Sequence, residues 1–259
     1  MYKRQFYDYA LKIGADFIAT GHYAKVENDN GEAKLYRSKD IDKDQTYFLH
    51  EVSSKEFSKT IFPLSDIYKS EVRDLAKELN LNIHSKKDSV GICFVGEKNL
   101  RDFLNRFIKF KKGKILNTDN EVIGEHNGSI LYTIGQRQGL GIGGLKDKDE
   151  LPWYVYGKNI NKNEIYVCQG VDNRLLYTEN IMLDKIHWIN KLKDFKNLDC
   201  SVQIRHRHKP VKCNLQFNET FKVMFDEEIR GIAPGQSAVF YKDNLCLGGG
   251  IIEARNNDL

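Results

Sequence analysis

A chain of 259 residues can bury a sizeable core, as one large domain or as two to three smaller ones. With 41% hydrophobic and 29% charged residues it has the balance of a soluble globular protein, and no apolar run reaches the roughly 20 residues that span a bilayer. The formal net charge of +4 is too small to imply nucleic acid by itself, so such a partner has to be read from local patches.

Met1 to Gln5 read as a translated adapter fragment, an artefact rather than protein, and are set aside from fold reasoning. Phe6 to Gly14 has the pattern of the middle and end of a helix closed by glycine, and Ala15 to Thr20 follows as a short buried strand. The loop Gly21-His22-Tyr23 then stands at the carboxyl end of that strand, where α/β layers place functional groups. Gln45 to Val52 is predicted helical, with Lys43-Asp44-Gln45 at its start. That triplet has two readings of equal weight: an N-cap, with Asp44 satisfying free helix N–H groups, or a polar cluster suited to phosphates and base edges. Val72, Leu75, Ala76 and Leu79 fall at helical spacing behind a Ser70 cap, and Leu100, Phe103, Leu104, Phe107 and Ile108 repeat the pattern between Asn99 and Gly113.

After Gly113 the period changes. Short apolar or alternating runs at 114–116, 129–134, 153–156 and 165–168 are separated by Gly, Asn and Asp. From Ile181 onward nearly everything alternates, at 181–187, 199–205, 211–217, 220–225, 237–241 and 245–253, which argues for a small barrel or sandwich. The expected architecture is an α/β section over 1–98, a β-rich central domain with a leading helix over 99–170, and a C-terminal β-barrel over 171–259.

Gly139-Leu140-Gly141-Ile142-Gly143-Gly144 matches G-x-G-x-x-G in form, but a poor helix leading to Pro152 follows it. Without the strand before and the helix after, a dinucleotide role is set aside in favour of a flexible loop near a substrate. No G-x-x-x-x-G-K-[ST] is present in the chain.

Two stretches are basic. Arg101 to Lys114 carries six basic residues against one acidic, and Arg205-His206-Arg207-His208-Lys209 is basic throughout. Strand alternation would send Arg205, Arg207 and Lys209 to one face, as a nucleic-acid backbone requires, with histidines beside them to stack on bases. The plain alternative is a solvated strand edge guarded by charges.

The five cysteines are odd in number and form no C-x-x-C pair, so neither a disulfide framework nor a structural metal is expected, and a reducing cytoplasm fits best. Cys168, Cys200, Cys213 and Cys246 sit in strand-like runs as packing residues. Cys93 differs: glycines at 91 and 96 flank it, with Lys86, Lys87 and Lys98 near in sequence. A reactive thiolate and a packed thiol are equally supported there on physical grounds.

Taken together these fragments resemble the bacterial tRNA-specific 2-thiouridylases. The fragments, in family order, are Ala19–Ala24, Lys43–Leu49, Asp88–Glu97, Gly124–His126, Thr133–Arg137, Gly139–Gly141, Pro152–Val155 and Pro234–Tyr241, spanning Phe6 to Glu253. The resemblance implies a cytoplasmic sulfurtransferase that uses ATP, with Mg, to replace the C2 oxygen of the anticodon wobble uridine of tRNA with sulfur. Cys93 would carry the sulfur as a persulfide and end turnover in a disulfide with a second cysteine. A cysteine desulfurase or sulfur-relay protein would supply the sulfur, and no membrane is involved. Gly21 would touch ATP, and His22, Lys43, Asp44, Gln45, Arg205, His206 and Gln236 would contact tRNA; at the position of His206 the family is often aromatic. The first section would be the end of an adenylating pyrophosphate-loop domain. The family's Ser-Gly-Gly-x-Asp-Ser loop, upstream cysteine and catalytic aspartate have no match in this chain, so alone it is expected not to adenylate RNA. A second hypothesis of a different class follows: a tRNA-binding module without catalysis.

Overall fold

The computed structural model describes residues 2–29, 31–86, 103–142, 151–192 and 195–256. Cys93 and the rest of its loop fall outside them, as do the start of the second predicted amphipathic helix and Gly143-Gly144. The chain forms two units, one built from residues 1–86, 181–226 and 234–253, the other from 87–180, 227–233 and 254–259.

The first unit opens with α1 (Tyr2–Lys12), whose Tyr7 and Ala10 are buried, and the chain leaves it through Gly14 at φ +89°. The predicted strand after it is only two residues long, β1 (Ile18–Ala19). A hairpin of β2 (Lys25–Asp29) and β3 (Glu32–Tyr36) comes next, then a short α2 (Ser54–Phe57), β4 (Thr60–Ile61) and α3 (Lys69–Glu78). β1 and β4 pair in parallel, Ile18 with Thr60 and Ala19 with Ile61. In α3 the first-turn cap forms around Tyr68 rather than Ser70, the Glu71 carboxylate accepting the Tyr68 N–H at 2.7 Å.

The predicted helix over 45–52 is replaced by 3-10 turns at Ile41–Lys43 and Thr46–Phe48. The backbone closes through the tighter i→i−3 bonds, the Phe48 N–H on the Gln45 carbonyl at 3.0 Å and the Leu49 N–H on the Thr46 carbonyl at 2.9 Å, while the Gln45 N–H turns to the Tyr23 carbonyl at 2.8 Å.

In the second unit, β5 (Gly113–Leu116), β6 (Val122–His126), β7 (Trp153–Asn159) and β8 (Glu164–Gln169) form a four-stranded sheet in the order β6-β5-β8-β7. Ile115, Val155, Ile165 and Val167 are fully buried on it, with Tyr132 and Leu140 closing the core. Leu140 is thereby packed between Gly139 (φ +79°) and Gly141 (φ +66°), so this part of the glycine-rich segment is an anchored turn rather than the flexible loop expected.

The remaining strands are β9 (Tyr177–Leu183), β10 (His187–Trp188), β11 (Asn197–Gln203), β12 (Val211–Asn218), β13 (Thr220–Arg230), β14 (Ser237–Lys242) and β15 (Leu245–Arg255). Six of them close in the order β14-β11-β12-β13-β9-β15, with β14 paired back to β15, giving the C-terminal β-barrel that the alternating runs predict. The β2–β3 hairpin is added to the barrel wall through β3, Leu35 lying opposite Cys246. Leu35, Phe57, Phe62, Tyr47, Val239 and Tyr241 pack between this hairpin and the wall. Each large apolar side chain buried there contributes about 1.5–3 kcal/mol.

The Gly248-Gly249-Gly250 run is a matter of close approach. Trp188 of β10 lies opposite Gly248, which holds φ +142°, and a Cβ there would fall 2.0 Å from the His187 carbonyl oxygen. At Gly250 a Cβ would fall 2.3 Å from the Lys185 carbonyl. Glycine lets this short strand lie against β15. No helix among the described residues is long and apolar enough to cross a membrane.

Candidate functional site

The first unit gathers every predicted contact residue that falls among the described ones. The loop after β1 is held by two links to Gln45: its N–H donates to the Tyr23 carbonyl at 2.8 Å, and its Oε1 accepts the Tyr23 N–H at 3.0 Å. Gly21-His22 and Lys43-Asp44-Gln45 are therefore neighbours. His22 Nδ1 lies 2.6 Å from the Thr20 hydroxyl, and its ring meets Phe62 edge-on. Gly21 is exposed, and a Cβ there would reach only Leu64 Cδ1 at 3.9 Å, so the chain's own packing does not require glycine at this position.

Asp44 separates itself from its two neighbours. It is 6% exposed, and its carboxylate accepts from the Ser38 N–H at 3.1 Å, the Thr46 hydroxyl at 2.6 Å and Arg37 Nε at 3.3 Å. The Thr46 hydroxyl lies 3.1 Å from that of the fully buried Tyr241, which donates to Gln203 Oε1 at 3.2 Å. The Arg37 guanidinium lies over the Tyr241 ring, 5.4 Å from its centre. Neither original reading of Asp44 describes this: it caps no long helix, and its side chain points inward. It ties the 38–46 segment to the barrel wall while Lys43 and Gln45 stay part-exposed on either side.

Arg205 and His206 arrive from the β11–β12 connection. The predicted alternation fails here, because residues 205–208 form a turn, closed by the His208 N–H on the Arg205 carbonyl at 3.0 Å, with Arg207 at φ +67°. The turn lays the His206 ring against Phe48, centroids 4.4 Å apart, and near Tyr47 at 6.2 Å. Burial lowers the His206 pKa, Arg207 lowers it further, and a hydrogen bond to the Asp44 backbone opposes both, so the ring is biased toward neutral. His208 is shifted down as well, by burial and by Arg205.

Gln236 joins through its neighbour. Tyr47 donates its hydroxyl to the Ser237 carbonyl at 3.0 Å, and His50 Nε2 lies 3.1 Å from Ser237 Oγ, so the exposed Gln236 is held one residue from the aromatic cluster. Burial raises the Tyr47 phenol pKa, opposed in part by its hydrogen bonding to Ser237 and, less, by Arg205.

Beside this cluster opens a cleft of about 780 Å³, lined among others by Thr20, His22, Phe48, Phe57, Phe62 and His187. Phe48 belongs to both: it lines the cleft, is 47% exposed, and carries His206 on its face. A helical reading of 45–52 does not single it out; an exposed aromatic beside a basic turn has the geometry suited to stacking on a base. Among the described residues no group of three or more His, Cys, Asp or Glu side chains gathers as a metal site. Cys168, Cys213 and Cys246 are buried, and burial pushes the Cys168 thiol up to about 11.

Comparison with known proteins adds an independent line. Residues 2–97 match the tRNA methyl transferase HUP domain family, residues 101–169 the tRNA methyl transferase PRC-barrel domain family, and residues 178–252 the aminomethyltransferase beta-barrel domain family. A protein of Pediococcus pentosaceus named tRNA-specific 2-thiouridylase MnmA is 47% identical over 260 residues, covering 98% of this chain and 69% of the relative. Proteins of the same name from Buchnera aphidicola and Legionella pneumophila (strain Lens) are 43% and 47% identical, each covering 96% of this chain and 69% of the relative.

Proposed function

The chain belongs to the tRNA-specific 2-thiouridylase family, and we propose that it takes part in replacing the C2 oxygen of the tRNA wobble uridine with sulfur. The observation that carries this proposal is the convergence of Gly21-His22, Lys43-Gln45, Arg205-His206 and Gln236 around Tyr47 and Phe48 in one unit.

Lys43 and Arg205 are suited to phosphates, which position an RNA without reading it. Phe48 and His206 offer stacking faces to an unpaired base, and a neutral His206 stacks without the cost of desolvating a charge. Gln45 and Gln236 carry amides suited to base edges. Asp44 is a positioning residue, its carboxylate already spent on Ser38, Thr46 and Arg37. Gly21 fits the approach of a phosphate-bearing co-substrate, because the space a side chain would fill there is open. ATP, when bound with Mg, supplies the activation that turns the C2 oxygen into a leaving group.

Cys93 is the persulfide carrier in this proposal: its terminal sulfur attacks C2 as the activated oxygen departs, and the thiolate of a second cysteine then attacks Cys93 Sγ, so that the S–S bond breaks, the sulfur stays on C2 and the two cysteines end as a disulfide. The sulfur comes from a cysteine desulfurase or relay protein. We read residues 1–98 as the nucleotide-using section, 99–170 as the central domain and 171–259 as the barrel section of a cytoplasmic enzyme.

The test is nucleoside mass spectrometry of tRNA from cells whose only 2-thiouridylase is this protein as its genome encodes it. Cys93→Ser should abolish 2-thiouridine; undiminished thiolation in that variant would remove Cys93 from its role. A non-catalytic tRNA-binding module would instead bind tRNA with a steep salt dependence while wild type and variant alike yield no 2-thiouridine.

A further inference from the structure

We propose that Cys200 and Cys213 form a thiol–disulfide exchange site, taking a low-molecular-weight disulfide as co-substrate and closing the base of the β11–β12 hairpin with a covalent bond. The two residues lie directly opposite each other on adjacent antiparallel strands, and their sulfurs are 3.7 Å apart. The register between the strands runs without a shift from Asn197–Gln216 to Val202–Val211. One step further out, the Phe217 N–H bonds the Lys196 carbonyl at 3.0 Å, which makes 196/217 a hydrogen-bonded pair. Alternating inward from it, Cys200/Cys213 is again a hydrogen-bonded pair, for which Cα atoms stand about 5.5 Å apart. That separation lies inside the range of roughly 4.4–6.8 Å found for disulfides. The Cβ atoms of directly opposite residues stand about 4.5–5.5 Å apart, so the two strands draw together by about 1 Å as side-chain rotation brings the sulfurs to about 2.05 Å.

The two thiols differ in access, and this sets the order of events. Cys200 is part-exposed and Cys213 is buried. The Cys200 thiolate attacks one sulfur of the small disulfide, forming a mixed disulfide and releasing one small thiolate. Cys213 then gives up its proton, its thiolate attacks Cys200 Sγ, a new S–S bond forms as the mixed bond breaks, and the second small thiolate leaves and takes up a proton. In sum two protein thiols are oxidised and one small disulfide is reduced to two thiols. Burial keeps Cys213 from meeting the small disulfide directly, so it resolves the mixed disulfide rather than starting the exchange.

The position matters because the hairpin tip between the two cysteines carries Arg205, His206, Arg207, His208 and Lys209. A bond at its base would fix the strands from which the basic turn projects. The bond itself stands independently of the RNA reading, and the experiment contains no RNA, so either can fail without the other.

The experiment incubates the full chain, folded, with excess oxidised glutathione. Remaining thiols are then alkylated, and the digest is analysed by mass spectrometry without reduction. The expected result is a Cys200–Cys213 linked peptide in most molecules and two reduced glutathiones released per link, reversed by dithiothreitol. In Cys200→Ser, checked for a native circular dichroism spectrum, Cys213 should remain free and unglutathionylated. A wild-type chain in which both thiols are recovered alkylated, or in which Cys200 stops as a glutathione mixed disulfide, would overturn the proposal without reference to any variant.

Discussion

In the first unit Asp44 is buried beneath part-exposed Lys43 and Gln45, whereas in the second His126 is buried among the backbone groups of its own turns. Both are polar groups almost out of contact with water, 6% and 1% exposed. Asp44 gathers side chains from distant segments, Arg37, Thr46 and through them Tyr241 and Gln203. His126 is closed on itself: Nε2 lies 3.1 Å from the Asn163 carbonyl, Nδ1 accepts the Gly128 N–H at 2.9 Å, and Asn163 spends its amide on the Lys111 and Lys112 carbonyls. A buried polar group with an outward rim marks a candidate site; one whose partners are all backbone marks a structural knot. The first holds exposed groups in place, and the second holds turns.

The largest effect expected is at Asp44. Its ion pair with Arg37 has side chains only 2% and 12% exposed, so removing the carboxylate leaves a buried guanidinium without its counter-charge. Asp44→Ala should cost about 3–5 kcal/mol of stability in urea unfolding. A cost below about 1 kcal/mol would show that the network does not anchor the rim.

His126 should break the comparison from the other side. Burial lowers its pKa from the ordinary 6.5, and the hydrogen bond to Asn163 only partly opposes this. Unfolded, the ring takes up a proton near 6.5; folded, it does so only at lower pH. Between the two values the unfolded chain binds more protons, so the stabilisation is complete above about 6.5 and is lost as pH falls. His206 and His208 shift in the same direction and add to the slope. His126→Ala should cost about 2 kcal/mol at pH 7.5 from lost hydrogen bonds and packing. It should also flatten the fall in melting temperature between pH 7.5 and 5.5. An unchanged pH slope would mean that the knot does not hold a neutral imidazole.

The barrel was legible in the sequence because alternation with a period of two is a direct image of a wall with one buried face; each predicted run from 199 onward has its strand, while the run over 181–187 divides between the end of β9 and β10. The candidate site was legible less evenly. Its residues could be named through family order, but their arrangement depends on contacts far apart in the chain, such as Gln45 on Tyr23 and His206 on Phe48. Two local expectations also gave way to turns. The 45–52 helix is replaced by i→i−3 turns, and the alternation of Arg205, Arg207 and Lys209 yields to a turn that strand periodicity does not foresee. Phe48 and the inward carboxylate of Asp44 leave no local pattern that separates them from a core aromatic and a helix cap.

The rim itself is where the smallest effects on stability and the clearest effects on binding should coincide. Phe48→Ala and Lys43→Ala remove side chains with exposed parts from the same short segment, but they remove different physics. Loss of the aromatic face should weaken tRNA binding by about 1–3 kcal/mol at every salt concentration, because stacking releases no counterions. Loss of Lys43 should change stability by no more than about 0.5 kcal/mol, yet lower the slope of log affinity against log salt by about 0.7–1, the share of one phosphate contact. A filter-binding titration over salt separates the two as a shifted line and a shallower line. If Lys43→Ala only shifts the line, its ammonium faces something other than a phosphate; if Phe48→Ala leaves the line where it was, the aromatic is packing for His206 and no base lies on it.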